Sequence, residues 1–217
     1  MIETLDNTNR SEAVDLIGEA FRAHPFLPPD PSGSKAKLLA KAILDGFAAA
    51  PDAQLFGIRG EDARLDCAAF VYNATHEPRG LTLALFLVRM IRIAGWRMSR
   101  TFAQVLSEEP EGKEQRLELM LLGTRSSSQK LGLGRVMIRH IFGFAKSRGY
   151  QSVVLGVAKE TPAFGFYQRE GFVVEKEIAL PIMPLCLLRR PLSEQETRDQ
   201  SAADIEKPPK HVQDIVE

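Results

Sequence analysis

The chain has 217 residues, 44% of them hydrophobic, enough to bury the core of one domain or of one domain carrying an insertion. Its 28 basic and 28 acidic side chains cancel, so the basic excess of a sequence-independent nucleic-acid binder is missing and no nucleic-acid partner is expected. Cys67 and Cys186 lie far apart in apolar stretches and read as small buried hydrophobes in a reducing compartment rather than as a disulfide framework, while four scattered histidines give no metal-ligand spacing. The opening "MIETLDNTNR" is polar and acidic, unlike a signal peptide, and a cytoplasmic location is expected.

In chain order, a short strand over 1–5 leads to "SEAVDLIGEAFRAH", whose apolar positions predict an amphipathic helix with Ser11 as its N-cap. Prolines in "HPFLPPDPSGS" forbid regular structure, and a second helix is predicted over 35–50, closed by Pro51. "AQLFGIRG" and "RLDCAAFVYNATH" read as a hairpin around "GEDA". Residues 80–106 form a helical insert, broken near Gly95. Its apolar part, "LTLALFLVRMIRIAGW", is interrupted by Arg89 and Arg92 short of the roughly 20 residues that a bilayer span needs, so a buried or partner-facing helix is expected and stable membrane insertion is not.

"QRLELMLLGT" predicts a strand with Leu117, Leu119 and Leu121 on one face and Glu118, Met120 and Leu122 on the other. A helix over 132–148 follows, stopping at Gly149; then comes the strand "SVVLGVA", and a helix with Thr161 as N-cap and Pro162 at its first position that stops at Gly171. "FVVEKEIAL" and "PIMPLCLLRR" are further strands, the second placed at an edge by its prolines. The polar stretch 193–217 reads as a disordered tail, leaving 1–192 as one domain of α/β class built on a mixed sheet.

"SSSQKLGLGRVM" stands between a strand and a helix, where free backbone N–H groups and the helix dipole favour an anion, and where Gly132 and Gly134 allow it to approach the backbone. The P-loop pattern fails for want of a Gly-Lys-Ser/Thr ending, and the dinucleotide pattern G-x-G-x-x-G fails at Met137. The run Gln129, Lys130, Leu131, Gly132, Leu133, Gly134 matches Q/R-x-x-G-x-G/A, and "LELMLLGTRSSSQKLGLGRVMIRHIF" resembles the strand, loop and helix with which Gcn5-related N-acetyltransferases, the GNAT superfamily, hold acyl-coenzyme A. "TPAFGFYQREGF" is similar to the same family's A-x-x-x-Y-x-x-x-G-F signature through Ala163, Tyr167, Gly171 and Phe172, and "EAFRAHPFLPPD" is similar to its loop between the first two helices. The resemblance is strong over 114–175. It departs at Glu160, where many relatives have Asn, and at Ser126, where they have Pro or Asp-Pro.

The resemblance implies an acyl-CoA N-acyltransferase fold: a central, mostly antiparallel mixed sheet flanked by helices, with two splayed parallel strands at the cofactor site. It implies acetyl-CoA as cosubstrate, held by the backbone of Leu122, Gly123 and Thr124 and by the loop; Lys130 and Arg135, which flank the glycines, are weaker candidates to add charge to its phosphates. It makes Tyr167 the general acid toward the departing thiolate and Glu118 the base on the acceptor amine, in a direct ternary-complex transfer. A carboxylate among leucines should have a raised pKa, which suits a base, and a tyrosine stays protonated at neutral pH, which suits an acid. His24 and His76 are weaker candidates for the acceptor side. The expected acceptor is the primary amine of a small molecule; a protein lysine or N-terminus, and a CoA-binding sensor without turnover, are the alternatives, and the apolar insert leaves room for a homodimer.

Overall fold

The computed structural model describes residues 1–25, 27–75, 84–93, 95–96, 115–180 and 184–192. Seven strands, β1 (Ile2–Thr4), β2 (Gln54–Arg59), β3 (Leu65–Asn73), β4 (Arg116–Thr124), β5 (Ser152–Ala158), β6 (Val173–Ile178) and β7 (Leu185–Pro191), form one sheet in the order β1-β2-β3-β4-β5-β7-β6. Every pairing is antiparallel except that of β4 with β5. The helices are α1 (Arg10–Ala20), α2 (Ser34–Phe47), α3 (84–93), α4 (Leu133–Ser147) and α5 (Pro162–Arg169).

Two apolar cores lie on opposite faces of this sheet. On one, Leu16 and Ile17 of α1, Leu44 and Phe47 of α2, and Phe86 and Met90 of α3 cover Ala68, Phe70 and Tyr72 of β3. On the other, Met137, Ile138, Ile141 and Ala145 of α4 cover Cys67, Ala69 and Val71 of the same strand. β3 is therefore buried on both faces, which is why its sequence reads as one apolar run instead of an alternation. Each large aliphatic side chain so buried contributes roughly 1.5–3 kcal/mol.

β4 departs from the simple alternation expected of it. The register with β3 steps from Phe70–Leu121 to Val71–Leu119, so Met120 has no partner and forms a bulge. Leu117 and Leu119 accordingly pack with the α4 core, whereas Leu121 joins the core under α1 and α2. One extra residue reverses the facing of everything beyond it.

β7 is not an edge strand. It lies between β5 and β6, and β6 is the edge. Pro184 precedes β7 and Pro191 ends it, so the prolines bracket the strand and leave its interior donors intact. Two helix ends also differ from expectation. α1 begins at Arg10, because Ala13 N–H already donates to Asn9 O (3.1 Å), ahead of the predicted cap Ser11. α2 stops at Phe47, three residues short of the expected end, as the chain turns through 48–50 ahead of Pro51. Thr161 and Pro162 do open α5, and Gly149 (φ 78°) follows the last turn of α4. The insert is helical over 84–93, and Gly95 (φ 82°) and the exposed Trp96 follow; its other residues and the tail 193–217 lie outside the described residues.

Candidate active site

β4 and β5 pair only through Arg116–Ser152, Leu117–Val153 and Glu118–Val154. Beyond these pairs β4 stays with β3 as far as Thr124, and β5 stays with β7 as far as Ala158. Residues 119–124 and 155–158 thus each turn one backbone edge toward the other with no strand partner among the described residues. Unpaired peptide groups on two diverging edges suit an extended ligand that carries amides of its own.

Glu118 occupies the last paired position before the strands part. It lies on the face covered by α1, α2 and α3, directly across from Tyr72 of β3, whose hydroxyl donates to Oε2 at 2.7 Å. Burial pushes its pKa above the ordinary carboxylate value, and the Tyr72 hydrogen bond works against that shift.

The glycine loop lies at the other end of β4. A short 3-10 turn, Ser126–Ser128, leads to Gln129, whose side-chain amide donates to Thr124 O (3.5 Å) and ties the loop to the strand. Lys130 (φ 69°) and Gly132 (φ 80°) are both left-handed, and Gly132 is the N-cap of α4. A Cβ at Gly132 would meet nothing within 4 Å, so the approach to the helix N-terminus is open there. At Gly134 a Cβ would lie 3.4 Å from the Phe166 ring, which makes this glycine a contact with α5 as well. Leu131 is 70% exposed and Leu133 packs on the α4 core.

The two candidate cations differ. Lys130 is exposed. Arg135 Nε donates to the buried Glu170 carboxylate (2.8 Å), so it ties the first turn of α4 to the end of α5. Ser126 is held by Glu19 of α1, which accepts from both its hydroxyl and its N–H. Gly123 is required by packing: a Cβ would come within 3.2 Å of Ile17 Cα and Ala20 Cβ, so α1 lies directly against β4 there. Leu122 is partly buried against the α4 core, and Thr124 Oγ1 reaches Cys67 Sγ at 3.6 Å.

Tyr167 belongs to the α4 side of the sheet, edge-on to Phe166 (5.2 Å) and Phe172 (5.6 Å). Burial, with a smaller contribution from Cys67, pushes its pKa above the usual phenol value. Cys67 is itself pushed up to about 11 by burial, so this thiol stays protonated at neutral pH. His24 follows α1, stacks on Phe21 (5.1 Å) and is brought down to about 4 by burial, so it is a neutral ring. His76 lies outside the described residues. Tyr72 and Glu170 carry no signature in the sequence, because the partners that bring them to the site lie 46 and 35 residues away.

Acyl-CoA ligands carry a diphosphate and a pantetheine arm with two amides, and the residues here fit both: an open glycine-capped helix N-terminus and two unpaired strand edges meeting at Glu118. A mixed sheet opened in this way defines an acyl-CoA-dependent transferase fold. The model of the Acetyltransferase (GNAT) family matches residues 44–172, more than half of the chain, and the chain belongs to that family. Its members transfer an acetyl group, and acetyl-CoA is the donor. No curated protein sequence matches significantly.

Solved structures similar to this chain include a histone acetyltransferase HPA2 and related acetyltransferase from Corynebacterium glutamicum (20% identity, TM-score 0.64, covering 89% of this chain and 96% of that one). Arylalkylamine N-acetyltransferase 2 from Aedes aegypti is similar at 12% identity and a TM-score of 0.62, with 89% and 99% covered. The ribosomal-protein-S18-alanine N-acetyltransferase of Escherichia coli is similar at 14% and 0.55, with 89% and 94% covered. At these identities the likeness is one of fold. Among the described residues no helix is long and apolar enough to cross a membrane.

Proposed function

We propose that the protein is an N-acetyltransferase that moves the acetyl group of acetyl-CoA directly to the primary amine of a small molecule, with residues 1–192 as the catalytic unit. The observation that carries this reading is the buried Glu118 carboxylate, bonded by Tyr72 at the last pair before β4 and β5 part, with Tyr167 packed on the opposite face of the sheet. The amine adds to the thioester carbonyl to give a tetrahedral intermediate from which the thiolate leaves, so the reaction needs a base placed at the amine and a separate acid placed at the sulfur.

Acetyl-CoA, when bound, supplies the thioester-activated acetyl group. Gln129, Lys130, Leu131, Gly132, Leu133 and Gly134 would hold its diphosphate, and the backbone of Leu122 and Thr124 its arm. Glu118 accepts the proton that the amine loses as the C–N bond forms. Tyr167 donates a proton to the sulfur as the C–S bond breaks. Burial raises the pKa of both thiols, Cys67 and Cys186, and keeps them protonated, which argues against an acyl-enzyme and for direct transfer.

The face that carries Glu118 is covered by α2 and α3, with Phe86 and Met90 buried next to Phe47 and Tyr72. A covered base suits a small acceptor better than a folded substrate does, and the likeness to an arylalkylamine and a Drosophila melanogaster polyamine acetyltransferase supports that class. Initial rates with both substrates varied test the direct route: intersecting reciprocal plots are expected. Parallel plots, or acetylated protein by intact mass after incubation with acetyl-CoA alone, would contradict it.

A further inference from the structure

β3 brings one buried hydroxyl to the carboxylate that stands where the strands part. We propose that Tyr72 is a positioning residue for the transfer, fixing the Glu118 carboxylate at the vertex of the β4–β5 opening and keeping it ionised. The proposal rests on the reading of Glu118 as the base.

Tyr72 and Glu118 are register partners in an antiparallel pair, so their side chains leave the sheet on the same face. The 2.7 Å separation of the hydroxyl from Oε2 is that of a well-formed O–H···O hydrogen bond and is compatible with an ionised acceptor. No other hydrogen bond to the Glu118 side chain occurs among the described residues, which leaves Oε1 to take the proton of an acceptor. Tyr72 is 3% exposed, and its ring is wedged against Phe47 (4.7 Å) and Phe70 (6.3 Å), with Phe86 of α3 set edge-on to Phe47 (5.7 Å). A ring packed between α2 and its own strand fixes where its hydroxyl points. Phenylalanine would fill the same space, so the hydroxyl has its consequence in the bond it makes.

Several charges of the elements packed on this face have partners of their own. Asp45 of α2 takes Arg10, Lys41 and Arg89; Asp15 of α1 takes Lys37; Glu12 takes Arg59; Glu19 takes Ser126. β5 presents Val154 opposite Glu118. Against the burial that disfavours the carboxylate, Tyr72 is the one stabilising partner identified among the described residues.

The test is Tyr72→Phe, which keeps the ring. Two readouts are taken: the titration midpoint of the Glu118 carboxyl, by carbon NMR on glutamate-labelled protein assigned with Glu118→Gln, and the acidic limb of kcat/KM against pH. Loss of a hydrogen bond to the charged form should move both upward by about one pH unit, with acetyl-CoA affinity unchanged. A purely structural role would lower the rate equally at every pH. An unmoved NMR midpoint would overturn the role of Tyr72 alone. A midpoint that moves while the acidic limb stays would overturn the base assignment beneath it, and the positioning role with it.

Discussion

Glu118→Gln is expected to lower kcat/KM by about 10²–10⁴-fold at neutral pH, the range that removal of a general base produces. The amide is nearly isosteric and its oxygen can still accept from the Tyr72 hydroxyl, so the change removes the base and little else. Wild-type activity should fall as pH drops through the Glu118 pKa, which burial places above the usual carboxylate value. In the variant that limb disappears, and raising the pH partly restores the rate because more of the acceptor is already deprotonated. Stability moves the other way. A carboxyl whose folded-state pKa is raised favours folding in its protonated form, and that contribution is lost as pH rises through the folded value. The neutral amide escapes this loss, so the Tm of Glu118→Gln at neutral or mildly alkaline pH should equal or exceed that of the wild type. An activity loss accompanied by a lower Tm would point to a structural role for the carboxylate.

Tyr167→Phe carries the second large effect: a fall in kcat of about 10²-fold, the lower end of what loss of a general acid gives. Phenylalanine keeps the edge-on contacts to Phe166 and Phe172, so folding and the calorimetric affinity for acetyl-CoA should stay at wild-type values. Because burial raises the phenol pKa above its usual value, Tyr167 remains protonated through the working range and should impose no alkaline limb below about pH 10. An unchanged kcat would remove the general-acid role.

The site was legible where it is local in the chain. The strand, loop and helix that carry Gln129 to Arg135 follow one another without interruption, and the left-handed Gly132 at the start of α4 is a requirement that a glycine announces in sequence. Tyr167 was read in the same way, through a short signature that spans α5. Features that depend on pairing between distant strands were not legible. The bulge at Met120 arises from the register of β3 against β4, two strands separated by the whole insert, so the alternation of leucines read correctly up to Leu119 and wrongly at Leu121. The Tyr72–Glu118 bond depends on that same register. The position of β7 inside the sheet depends on the chain returning between β5 and β6, which two flanking prolines do not disclose. Arg135 read as a cation beside a phosphate loop, whereas Glu170 takes it up from a helix that follows 35 residues on.

The acceptor is the point at which the account is most exposed. Thiol release from acetyl-CoA, measured across arylalkylamines, polyamines, amino acids and aminoglycosides on one side and lysine-bearing or free N-terminal peptides on the other, tests it most directly. Turnover with at least one small amine is expected, reduced by about 10²–10⁴-fold in Glu118→Gln and by about 10²-fold in Tyr167→Phe. Turnover confined to peptides, or tight binding of acetyl-CoA with no turnover on any amine, would contradict it.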